Sequence, residues 1–170
     1  MQLATSSPST GFARPRLSSH RERVFLIEAC AVTAAVAARS LEDHGYQVTW
    51  FESAEKAVAS FLTPEWFGRS CPADVVILDT DRLEMDLATF AEILRLSNAP
   101  PLILLGSQPM ENMRSLVSDV NAAGAVHKPL NPQDLLPLVR RSLSRHRPKQ
   151  KVKEHFFSDL TRPVASGLLS

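Results

Sequence analysis

VVILDTD, residues 75–81, is the stretch whose reading decides the fold. Four aliphatic residues run unbroken and stop at a carboxylate, Asp79. Continuous apolar runs of this length mark strands of a parallel sheet that is covered on both faces. In open parallel sheets, ligands collect beyond the carboxyl ends of the strands. A charged residue at the end of a buried strand therefore stands where such a sheet does its chemistry.

The flanking segments repeat the theme. VFLIE (Val24 to Glu28) is a second short apolar run that ends on an acid, and LILL (Leu102 to Leu105) is a third. QVTWF (Gln47 to Phe51) is β-branched and aromatic, a strand signature. AGAV (Ala123 to Val126) gives a short, weak last strand. Between them lie helical segments. ACAVTAAVAARSLEDHGY is Ala-rich and closed by Gly45, a common helix stop. SAEKAVASFL has Ser53 as cap and Glu55 in its first turn. LATFAEILRLS carries Leu87, Phe90 and Ile93 or Leu94 at helical spacing, and Asn98-Ala-Pro-Pro breaks it. ENMRSLVSDVNAAG reads as a helix ending at Gly124. Asn131-Pro132 is a cap and first-position pair that opens a last helix toward Arg140 and Arg141. Pro137 lies inside that helix past its first turn, where a kink costing about 3 kcal/mol is expected.

The order βαβαβαβαβα with aliphatic strands gives an α/β protein, a doubly wound five-stranded parallel sheet. If the first and third strands are neighbours, as in the flavodoxin-like order 2-1-3-4-5, Glu28 and Asp79 meet at one edge. Like carboxylates repel, and burial adds to the cost, unless a cation sits between them. Lys128 follows the fifth strand and emerges at that edge. Hard oxygen ligands also suit Mg²⁺.

Composition narrows the alternatives. The chain has 170 residues, 44% of them hydrophobic, a net charge of +1 and two cysteines, Cys30 and Cys71. The size fits one domain with free ends. The charge points to neither nucleic acid nor membrane, and two cysteines fit a reduced, cytoplasmic protein better than a disulfide scaffold. No apolar run approaches the roughly 20 residues of a membrane helix. Residues 1–20 are Ser/Thr/Pro-rich and read as a disordered leader, without the apolar core of a signal peptide. EACAVTAAV lacks a phosphate-binding loop, so a flavin or nucleotide site after the first strand is not expected. His127 is read as an exposed neighbour of Lys128. Cys30 reads as a small packing residue, with a reactive thiol as the alternative.

The pieces VFLIEAC, HGYQVTWFESAEKAV, VVILDTDRLEMD, PLILLGS, AGAV and KPLNPQDLL, in this order, resemble the receiver domain of two-component response regulators. Within that family they are most similar to FixJ-type receivers. The likeness spans roughly Val24 to Leu143 and sets a receiver domain at 21–145, with a basic linker and short tail at 146–170. It implies a signalling domain that is not an independent enzyme. Asp79 would accept a phosphoryl group and Lys128 would pair with it. Glu28, Asp79 and Asp81 would hold Mg²⁺, Asp81 through its backbone carbonyl. Thr80 would offer a backbone N–H to the phosphoryl group, and Ser107 would serve as its hydroxyl contact only if the register slipped by one. The partner would be a histidine kinase or phosphotransfer protein, with a downstream regulator beyond it.

The likeness also has gaps. Ala29 stands at the second acidic position of the metal site. Gly106 replaces a Ser or Thr, Ala125 replaces a Phe or Tyr, and Leu83-Glu84 replaces Pro-Gly. FFSDLTRPVASGLLS resembles only the opening of the DNA-binding domain that follows such receivers, so a stand-alone receiver without direct nucleic-acid binding is expected. Two functions remain open at this point: a receiver phosphorylated on Asp79, and a pseudo-receiver that acts as a constitutive protein-interaction module.

Overall fold

The computed structural model describes residues 21–61, 72–97 and 100–146. The expected leader, the loop around Pro64 and Gly68, Cys71 and the tail from 147 lie outside the described residues. Ten elements alternate: β1 (Arg23–Ile27), α1 (Ala31–Asp43), β2 (Gln47–Phe51), α2 (Ala54–Phe61), β3 (Val75–Asp79), α3 (Leu87–Leu96), β4 (Leu102–Gly106), α4 (Met110–Asp119), β5 (Gly124–His127) and α5 (Pro132–His146). All pairings are parallel and the strand order is β2-β1-β3-β4-β5, as the flavodoxin-like reading requires.

The apolar runs become the middle of the sheet. Every residue of β3 and β4 is buried. β2 is an edge strand and is largely exposed, with Phe51 resting on Phe25 at a ring-centroid distance of 5.0 Å. One face of the sheet packs against α1 and α5, where Ala34, Ala37 and Leu41 meet Leu135, Val139 and Leu143. The other face packs against α2, α3 and α4 through Ala57, Phe90, Leu94 and Met113. The small residues of α1 fall at helical spacing on its inner face, which lets that helix lie close to the strands.

Local signals explain the boundaries. Gly45 adopts φ +89°, a conformation that L side chains resist, and Tyr46 N–H turns back onto the Leu41 carbonyl at 3.2 Å. Asp86 caps α3 by accepting from Thr89 N at 2.9 Å. Asn131 caps α5 by accepting from Gln133 N at 3.0 Å, with Pro132 at the first helical position. One expectation is corrected. The fourth helix stops at Asp119 and does not reach Gly124, because Asn121 turns into positive φ (53°) and Ala123 N–H is captured by Leu102 O at 2.7 Å. Gly124 instead opens β5. α5 continues through Pro137 to His146 as one helix. The buried Leu135, Leu136, Leu138 and Val139 on either side of that proline hold it to the core.

Candidate functional site

The register delivers the acids and the lysine to one edge. Asp79 ends β3 opposite Leu105 of β4, and Gly106, the last residue of β4, faces His127 of β5. Lys128 follows at once. Its N–H bonds Gly106 O at 2.9 Å and its peptide to Pro129 is cis. Glu28 lies one residue past β1, still tied to β2 through Glu28 N–H and Phe51 O at 3.0 Å. Trp50 covers the same corner by donating its indole N–H to Glu28 O at 2.8 Å.

Lys128 Nζ stands among three carboxylates. It is 2.7 Å from Asp79 Oδ1, 2.8 Å from Glu28 Oε2 and 3.6 Å from Asp81 Oδ2. Glu28 is fully buried and Asp79 is 5% exposed, so these charges are screened little by water. Burial pushes the Glu28 carboxyl above its usual range; Lys128 and the Cys30 N–H act against that, and the Asp79 charge adds to it. Burial works to lower the Lys128 ammonium, but hydrogen bonds and charge from Asp79 and Glu28 outweigh it and hold the group above its ordinary value. For this tightly coupled set the raised lysine is the direction that follows from the geometry, since it meets two carboxylates within 3 Å.

Two backbone N–H groups add to these contacts. Glu28 Oε1 accepts from Cys30 N at 2.9 Å, and Asp79 Oδ1 accepts from Asp81 N at 3.0 Å. Asp81 is clamped by Ser107, whose N–H reaches Oδ1 at 2.8 Å and whose hydroxyl reaches Oδ2 at 2.7 Å. Burial raises the Asp81 pKa, but the Ser107 N–H and hydroxyl with the Lys128 charge hold it below its usual value. Glu28 Oε2 takes Lys128 as an ion-pair partner off the line of a straight hydrogen bond.

Thr80 and Ser107 take positions of their own. The Thr80 N–H and hydroxyl both donate to Leu105 O, at 2.8 and 2.9 Å. The Ser107 side chain serves Asp81, and Gly106 pairs with His127 as the last residue of β4. The space beside Gly106 is filled. A Cβ built there would lie 2.6 Å from Thr80 Oγ1 and 2.8 Å from Met113 Sδ. Sequence reading missed Met113, Trp50 and the Ser107–Asp81 clamp. Met113 and Trp50 lie far along the chain from the residues they touch, and only the register signals them. Cys30 occupies the N-cap position of α1 without a side-chain cap hydrogen bond, and the nearby Thr33 backbone N–H leads the causes that hold its thiol below the usual range.

A parallel sheet with this strand order, carrying an aspartate at the end of its central strand and a lysine after its last, defines the class. The chain belongs to the response regulator receiver domain family, whose profile it matches over residues 24–140. This is a domain of two-component signalling. A probable transcriptional regulatory protein of Picosynechococcus is 27% identical over 149 residues, covering 84% of this chain and 59% of that protein. The chain thus spans less than two thirds of that relative. The fold is that of a CheY-like receiver from Methanospirillum hungatei (TM-score 0.63, 16% identity, 75% of this chain and 97% of that one). It is also that of a putative response regulator from Chloroflexus aurantiacus (TM-score 0.64, 21% identity, 74% and 100%).

Receiver domains typically bind Mg²⁺ in the acidic pocket. The donor set here does not fit that ion well. Mg²⁺ demands near-ideal octahedral oxygen coordination. Ala29 offers only a methyl group, and Lys128 stands between Glu28 and Asp79. Among the described residues no three His, Cys, Asp or Glu side chains are grouped to hold a metal ion. No described helix is long and apolar enough to cross a membrane.

Proposed function

We propose that this chain acts in two-component signalling as a pseudo-receiver, a cytoplasmic protein-interaction module whose acidic pocket is neutralised by its own lysine. The observation that carries this reading is Lys128 Nζ at 2.7 and 2.8 Å from Asp79 and Glu28, beside a position, Ala29, that has no side-chain oxygen. One positive charge bridging two buried carboxylates does structurally what a bound cation does. It fixes the carboxyl edge of the sheet in one arrangement, and it leaves Gly106 packed against Thr80 and Met113 with no side chain of its own to move. Output then flows through the surface. Val32 and Val36, one turn apart on α1, are 74% and 46% exposed and offer an apolar strip to a protein partner such as a histidine kinase or phosphotransfer protein.

Phosphoryl acceptance on Asp79 is the second reading, and the Asp79–Lys128 contact at the carboxyl edge favours it. A carboxylate oxygen would attack phosphorus, the P–N bond of a phosphohistidine donor (or the P–O bond of acetyl phosphate) would break, the imidazole or acetate would leave, and Lys128 would balance charge on the transferred group. Intact mass after incubation with acetyl phosphate and Mg²⁺, beside an Asp79→Asn control, separates the two. The pseudo-receiver reading expects no adduct on either chain. An adduct on the parent alone overturns it and makes Asp79 a working acceptor.

A further inference from the structure

Opposite the carboxylate pocket, at the amino edge of the sheet, lies a groove of about 450 Å³ between α3, the α4–β5 turn and the end of α5. Its floor is apolar and includes Leu94, Pro101, Val120 and Ala122. Its rim is basic, with Arg95, Arg141 and Arg145. Arg95 pairs with Glu92, while Arg141 and Arg145 have no acidic partner among the described residues. An apolar floor under a cationic rim fits a segment that combines aromatic side chains with a carboxylate.

The chain carries such a segment. Phe156-Phe157-Ser158-Asp159-Leu160 places two aromatics and a leucine around one acid. We propose that this segment of the same chain docks in the amino-edge groove, with Phe156 and Phe157 on the floor and Asp159 against Arg141 and Arg145. The reach is sufficient. His146, the last residue of α5, itself lines the groove. Residues 147–155 join it to Phe156, and nine extended residues span about 30 Å. The joining stretch carries Arg147, Lys149, Lys151 and Lys153, which the basic rim repels. That charge pattern leaves the aromatic-acidic segment as the part suited to the groove. Tethering makes the contact intramolecular at an effective concentration in the millimolar range, so modest complementarity is enough to populate it. The inference is independent of whether Asp79 accepts a phosphoryl group, because the groove and the carboxylate pocket lie at opposite edges of the sheet.

Hydrogen exchange read by mass spectrometry on the full chain tests it. The amides of residues 156–160 are expected to exchange about tenfold more slowly in the parent than in Phe156→Ala/Phe157→Ala, as a tethered contact gives. Arg141→Glu/Arg145→Glu, at two exposed positions, should remove the same protection, and adding Asp159→Lys to that chain should restore part of it. Unprotected amides in the parent overturn the proposal, as does protection that the groove variants leave unchanged. Protection that grows with protein concentration also overturns it, by making a second copy of the chain the occupant.

Discussion

Glu28 keeps its place through one ammonium group. It has no exposure to water, and burial disfavours its charge. Removing a single partner from a buried pair leaves the other charge uncompensated, at a cost of about 3–5 kcal/mol. Lys128→Met is therefore expected to lose stability of that order at pH 7, measured by urea denaturation. The pH dependence fixes the cause. In the variant the Glu28 pKa rises further above its ordinary 4.5, so the folded state comes to prefer the protonated acid. The deficit is then full above the folded Glu28 pKa and shrinks as pH falls toward 4.5. In the parent, Lys128 is raised above 10.5, so its contribution is complete below that pH and is lost as pH climbs through the folded value. The variant should lack this alkaline loss. Glu28→Gln in the same background should recover part of the deficit, the share that comes from Glu28 and not from Asp79. A Lys128→Met chain as stable as the parent would mean that the three-way contact contributes nothing to the fold.

Among the elements, α5 holds the clearest conflict between local preference and tertiary demand. Pro137 is exposed and has no N–H to give to the Gln133 carbonyl. A proline in a helix interior costs about 3 kcal/mol, offset by a fraction of that through stiffening of the unfolded chain. Pro137→Ala should thus raise stability by roughly 2 kcal/mol. A shift of the urea midpoint at unchanged slope reports it, and no shift would mean that the flanking leucines already absorb the defect. The same balance explains which elements could be read from sequence. β2 and β3 fall where their residue patterns place them, because continuous or β-branched runs bounded by turn residues admit little else. The caps at Ser53 and Asn131 form as expected, through Lys56 N at 3.3 Å and Gln133 N at 3.0 Å. The end of α4 was not legible. Asn121-Ala-Ala looks helical by propensity, and it is the pairing of Ala123 N–H with Leu102 O, a partner distant in sequence, that pulls it out of the helix.

At the scale of the molecule, the sheet brings residues 28, 79, 81 and 128 together, and that convergence was legible because each follows a recognisable strand. What the sequence did not disclose is how the pocket's free valences are used, since that depends on packing between distant side chains such as Ser107 with Asp81 and Thr80 with Met113. Metal binding tests this at the level of global stability. An ion that binds only the folded chain raises unfolding free energy by RT ln(1 + [L]/Kd), about 2.7 kcal/mol at a hundredfold excess over Kd. With Ala29 in place and Lys128 between the acids, millimolar Mg²⁺ should leave the parent's urea midpoint where it is. Ala29→Asp adds a carboxylate beside Glu28 at the mouth of the pocket. Without metal it should be less stable than the parent, because a fourth acid then shares one lysine. With Mg²⁺ its midpoint should rise, as the ion relieves that repulsion and supplies the second positive charge. Titrating the parent and Ala29→Asp in parallel distinguishes site binding from general screening, since screening acts on both chains alike. A Mg²⁺-dependent rise in the parent itself would show that Glu28 and Asp79 release Lys128 readily, and the lysine-closed pocket would give way to a metal-competent one.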